Sequence, residues 1–162
     1  MFTILLVVIV AGITVLAAFF VIVLRPNPPL KSGTLTVAGP ELKVDGAVFN
    51  VEIASTTLEL TRGLSYRASL GTNDSMLFLF GKPGIQNFWM IGMKFPLDMI
   101  WIGGDIVLGA AENVPAPASG TAIWQLPIYN SPDGTDKVLE VNAGTVAKYG
   151  IKAGDTVAIS GE

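Results

Sequence analysis

The chain contains no histidine and no cysteine, and these two absences exclude more chemistry than any motif present. Without them there is no Ser-His-Asp or Cys-His nucleophile system, no zinc site of the usual type and no thiol redox chemistry. Disulfides are impossible, so their lack says nothing about compartment. Charge is also sparse: 10 Lys and Arg stand against 13 Asp and Glu, a formal net charge of −3, with no basic cluster. A nucleic-acid partner is therefore not expected. No G-x-G-x-x-G and no phosphate-cradling loop is present, so no cofactor is expected. Any acid–base work must fall to Asp, Glu, Lys or Tyr.

Charge is most completely missing from residues 2–24, which are apolar apart from Gly12, Thr3 and Thr14. A helix of that length spans about 34 Å at 1.5 Å per residue, enough to cross a hydrocarbon core of about 30 Å. A cleavable signal peptide has a basic start and a shorter apolar core, and the only positive group ahead of this run is the terminal amine. Residues 1–24 are expected to form a single transmembrane anchor. Residues 25–33 hold three prolines and read as an extended, semi-rigid linker. Residues 34–162 remain, enough for one domain with its own core.

Within that domain the periodicity is mostly that of strands. Phe49, Val51 and Ile53 alternate with Asn50 and Glu52, the period of a half-buried strand, after a hairpin dipeptide Asp45-Gly46. Thr56 and Glu59 form a capping box for a short helix reaching about Tyr66, with Gly63 explained by close packing on a sheet. Apolar strands follow at 76–80, 86–90 and 97–102, and Gly103-Gly104 turns the chain into a strand over 105–111. Residues 113–136 read as a long loop with one strand near Ile123. A strand over 137–142, a helix over 145–149 closed by Gly150, and a strand over 155–160 complete the chain. The expected fold is α+β and mostly β: a compact, partly closed antiparallel barrel with two short helices, preceded by one transmembrane helix.

Several separated motifs occur in a telling order: Arg62-Gly63-Leu64, Met76-Leu77-Phe78, the run from Phe88 to Ile102, Val138-Leu139-Glu140 and Asn142-Ala143-Gly144. With these the chain resembles the family called domain of unknown function 192 over residues 49–159. The resemblance implies a β-rich α+β domain, exported or held at a membrane, and no known activity. It thereby favours the extracytoplasmic side. Arg25 and Lys31, which follow the apolar run, would by themselves favour the cytoplasm. The chain departs from the family pattern at Ser65-Tyr66-Arg67, where an apolar pair often precedes the arginine. It departs again at 91–95, where polar residues are common, and this second departure removes polar groups beside Asp98.

Asp98 is the oddest residue, a lone carboxylate in an apolar strand. Burial of such a group demands a cation, several N–H donors or a raised pKa. It is read either as an internal ion pair with Arg62 or Arg67, or as a site acid. If Gly103-Gly104 is the turn, Asp98 lies opposite Gly109 with Asn113 nearby, while Glu112 points away. That register counts against a paired-carboxylate hydrolase. Asn87 and Trp89 share one strand face, and Trp124, Gln125, Tyr129 and Asn130 lie in the long loop, a combination suited to glycans or peptides. Glu140 reads as solvent-facing or rim. The sequence therefore favours a membrane-tethered binding or accessory module for a glycan, peptide or membrane-protein partner. Two alternatives stay open: an enzyme using Asp98, with or without a divalent cation held by Asp98 and Asn113, and a purely structural interaction domain.

Overall fold

Strand β2 (Ala47–Ala54) buries Ala47, Phe49 and Val51 and exposes Val48 and Asn50, the alternation its sequence dictates. Its neighbours in the computed structural model, which describes residues 31–38 and 47–160, are β1 (Lys31–Ala38) and β3 (Asp74–Gly84). The apolar run 2–24, most of the linker and the Asp45-Gly46 turn lie outside the described residues, whereas residues 31–33 of the expected linker belong to β1. Among the described residues no helix is long and apolar enough to cross a membrane.

The remaining strands are β4 (Asn87–Phe88), β5 (Leu97–Gly103), β6 (Ile106–Val114), β7 (Tyr129–Asn130), β8 (Thr135–Asn142) and β9 (Thr156–Ser160). Seven of the nine described strands curl into one barrel-like sheet in the order β1-β2-β3-β8-β5-β6-β9, and β9 pairs back onto β1. The seam between β6 and β9 is a single pairing, Ile106 with Thr156. The expected antiparallel barrel is corrected at one place: β2 and β3 run parallel. A parallel pair needs a crossover longer than a hairpin turn, and helix α1 (Thr57–Arg62) supplies it. The second helix is α2 (Thr145–Tyr149).

The sheet is covered on both faces, so there are two apolar layers. Inside the barrel lie Phe49, Val51, Leu77, Ile100, Leu139 and Val157. On the outer face, beneath α1 and the segment 86–95, lie Leu64, Met76, Phe78, Phe88, Met99, Trp101 and Val138. Strand β5 contributes to both layers and is buried from Leu97 to Ile102. Its unbroken apolar sequence reflects that central place.

Two irregularities set the β5–β6 register. The turn residues are Gly104 and Asp105, not Gly103-Gly104, because Gly103 pairs with Ile106. Leu108 is an extra residue between the pairs Trp101–Gly109 and Ile102–Val107. Glu112 and Asn113 together oppose the single residue Asp98, between the pairs Leu97–Val114 and Met99–Ala111. This is a bulge, and Asn113 takes the positive φ of 52° that it requires.

Helix α1 starts as its sequence prescribes. The Thr56 side chain accepts from the Glu59 backbone N–H at 3.3 Å, and the Glu59 carboxylate accepts from the Thr56 N–H at 2.9 Å. It stops earlier than expected, at Gly63, whose φ of 49° and ψ of −135° suit glycine alone. A Cβ there would come 3.0 Å from the Phe78 ring, so the close helix–sheet approach expected from Gly63 is present. Gly63→Ala should therefore lower stability by about 1–3 kcal/mol, read as a lower denaturation midpoint with an unchanged m-value.

Candidate functional site

The end of α1 is tied down by polar contacts. The Arg67 guanidinium donates to both Glu52 carboxylate oxygens, at 2.6 and 2.7 Å, fastening this segment to β2. Ser65 donates its hydroxyl to the Ile91 carbonyl at 2.6 Å, and the Tyr66 N–H donates to the Gly92 carbonyl at 2.9 Å. These bonds hold the 86–95 segment over the sheet next to α1. A cleft of about 80 Å³ opens between them, room for several waters or the end of a small ligand. Arg62, Leu64, Phe78, Phe88, Trp89 and Glu140 line it, with Asn87 at its edge. Its aromatic wall is fixed: the Phe88 ring meets Phe78 at 5.1 Å and Trp101 at 5.6 Å between centroids.

Glu140 is the residue that sequence reasoning misplaced. It does share a strand face with Val138, as alternation requires, but that face is the covered outer layer and not solvent. Its strand neighbours are Met76 and Met99, and only 5% of the residue is exposed. Burial pushes the carboxyl up from 4.5 to about 8, with the Arg67 guanidinium pulling the other way. A carboxyl that stays largely protonated at neutral pH in a cleft can both donate and accept a hydrogen bond. One signal in the sequence was its place in the Val138-Leu139-Glu140 motif.

Asp98 sits elsewhere. It is fully buried, on the inner face of β5, and takes neither arginine. Its Oδ1 accepts from the Asn113 N–H at 2.7 Å and its Oδ2 from the Val146 N–H at 2.8 Å. The first bond pins the β6 bulge. The second serves the first turn of α2, whose own N-cap, Gly144, has no side chain to offer. Asn113 thus contributes its backbone and not its side chain. Glu112 is exposed and forms no pair with Asp98, and no cluster of three or more metal-ligating side chains occurs among the described residues.

The structure therefore brings Arg62, Asn87 and Trp89 together with Glu140. It places Arg67 behind them in its ion pair, and sets Asp98 and Asn113 apart as a brace. Trp124 belongs to a second feature. Residues 123–125 form a 3-10 turn in place of the expected strand, and there Ile123, Trp124, Leu126 and Ile128 line an apolar groove with Trp89 and Ile91. Trp89 borders both the cleft and the groove.

Comparison with known proteins agrees with this architecture. A protein of unknown function from Novosphingobium aromaticivorans DSM 12444 is 33% identical, with a TM-score of 0.71, over 83% of this chain and 89% of its own. A protein of Sinorhizobium meliloti 1021, proposed to be a transcription regulator, is 25% identical, with a TM-score of 0.73, over 83% of this chain and 98% of its own. No protein of curated function matches. The profile of the uncharacterised family DUF192, described as Uncharacterized ACR, matches residues 40–159. With a barrel-like β domain spanning nearly that whole stretch, the chain belongs to the DUF192 family.

Proposed function

We propose that this domain is a binding module, tethered to a membrane by residues 2–24, whose ligand enters the cleft over Glu140. One observation carries the reading: a buried carboxyl, pushed up to about 8 by burial, lines a cleft whose walls are aromatic. A hydrogen bond between a ligand and such a carboxyl is stronger in a low-dielectric cleft than in water. Perturbed ionisation in a concave, mostly apolar site is the usual mark of a functional group. The Phe88 and Trp89 rings would take the ligand's apolar face, and Asn87 and Glu140 its polar end.

The test is a thermal-shift screen of the full chain in detergent micelles, using glycans, short peptides, small amines and small carboxylates. Compounds that raise Tm by several degrees in the parent and fail to do so in Glu140→Ala support the reading. If no class shifts the parent, or shifts survive unchanged in the variant, the cleft is not the site.

A second reading is favoured by the same residue. A carboxyl poised near 8 is suited to general acid–base work close to neutral pH, so any enzyme built on this domain would use Glu140 and not Asp98. Asp98 has both oxygens occupied by backbone donors and no opening onto the cleft.

A further inference from the structure

After residues 2–24, the two longest stretches without charge are residues 83–93 and 113–132, and the fold lays them side by side. The β4–β7 pairing joins them, with Asn87 opposite Asn130 and Phe88 opposite Tyr129. Their outward residues make the apolar groove, about 290 Å³, of Trp89, Ile91, Ile123, Trp124, Leu126 and Ile128. Trp124 is 88% exposed, and Ile85, Ile123 and Ile128 are each at least half exposed. A soluble surface rarely leaves a tryptophan so bare amid isoleucines without a partner. Exposed Lys82 and Lys94 bound the first stretch and exposed Glu112 and Asp133 the second, so the flanking charges cancel.

The chain outside the structure says what meets this surface. Six residues, 25–30, with prolines at 26, 28 and 29, connect the apolar run to Lys31. At full extension six residues reach no more than roughly 22 Å, so a domain tethered through them would stay within about that distance of the bilayer. Lys31 pairs with Ile53, next to the point where β2 leaves for α1, and α1 walls the cleft that shares Trp89 with the groove. The tether thus enters on the α1 side of the barrel. Tryptophan favours the membrane–water interface, where its ring is buried and its N–H stays wet.

We infer that the groove centred on Trp124 rests on the lipid surface, with Trp124 seated at the headgroup–acyl boundary. The inference rests on the tether proposed above. Docked in this way, Trp89 lies at the junction of lipid and cleft, so an amphiphilic ligand could pass from one to the other.

The experiment uses the full chain at one copy per nanodisc, in phosphatidylcholine and phosphatidylglycerol with or without bromine on the acyl chains. Trp124→Phe should fold normally, since the side chain is almost wholly exposed, and circular dichroism checks this. Brominated lipid should quench the parent's tryptophan emission, and the parent-minus-variant difference should carry most of that quenching, at least a twofold drop in the Trp124 signal. Equal quenching in parent and variant, or Trp124 emission at the wavelength of a water-exposed indole, overturns the docking. Resistance of the chain to alkaline extraction from vesicles is read separately. A chain that is retained but unquenched at Trp124 defeats the docking alone; a chain that is extracted defeats the tether and the docking together. Shielding of Trp124 that appears only with two chains per disc would assign the groove to a second copy and overturn the lipid assignment.

Discussion

Asp98→Ala should lower the stability of the domain by about 3–5 kcal/mol, a large fraction of the 5–15 kcal/mol typical of a single domain. The two bonds it loses, to Asn113 at 2.7 Å and Val146 at 2.8 Å, are made by a carboxylate in a dry environment. Charge-assisted bonds of this kind are worth about 1.5–3 kcal/mol each. Their removal also leaves two backbone N–H groups without an acceptor, one in a bulge and one in the first turn of a helix. Asp98→Asn is the sharper variant. Asparagine has the same shape but only one acceptor oxygen, so its NH2 must face one of the two donors, and it should lose about half to two-thirds of the aspartate's contribution. Chemical denaturation of parent, Asn and Ala variants measures this. If Asp98→Asn kept full stability, the brace would be wrong, and a role for Asp98 outside structure would have to be sought.

The brace explains what could be read in the sequence and what could not. That Asp98 is buried and needs donors followed from its place among Leu97, Met99 and Ile100 alone. The identity of the donors did not, because they are backbone groups brought in by a bulge and by a helix 48 residues downstream. Side-chain inventory can propose Arg62 and Arg67 as partners; it cannot see an amide. The register failed for the same reason. Counting outward from a Gly103-Gly104 turn assumes no extra residues, and β6 inserts one at Leu108 and another at the Glu112-Asn113 bulge. Local signals with a fixed geometry survived: the capping box at Thr56 and Glu59, the αL stop at Gly150, and the alternation of β2.

Glu140 shows a different limit. Alternation correctly sets it on the face opposite Leu139 and Val141, but alternation reports a face and not what covers it. Here the outer face of the sheet is roofed by α1 and the 86–95 segment, so both faces are dry. The hint lay in β5, whose buried run implies a sheet covered on both sides. A strand paired to it inherits that burial, and β8 pairs with β5 along its length. The site is thus a consequence of the second layer: the same roof that hides Glu140 leaves the opening beside it.

The stability of the chain should fall as pH rises from 4.5 to about 8, and Glu140→Gln should remove most of that fall. The Glu140 carboxyl is held up to about 8 in the folded state, against 4.5 when solvated. Between these values the unfolded chain has released this proton and the folded chain still binds it. The folded state is then favoured most below 4.5, and the advantage drains away as pH rises through about 8. At about 1.4 kcal/mol per pH unit, the full loss is on the order of 4–5 kcal/mol. Few other groups can blur the signal. Histidine is the only side chain that ordinarily titrates between pH 5 and 8, and the sequence has none. Denaturant unfolding at pH 5, 7 and 9 should show the slope in the parent and a nearly flat profile in Glu140→Gln; parallel profiles would show that burial does not hold the Glu140 proton. The same linkage sorts ligands. A compound that accepts a hydrogen bond from the protonated carboxyl should bind more tightly below pH 8 than above it. An amine that pairs with the ionised form should do the reverse and pull the transition to lower pH, so the pH dependence of binding reports which chemistry the cleft was built to meet.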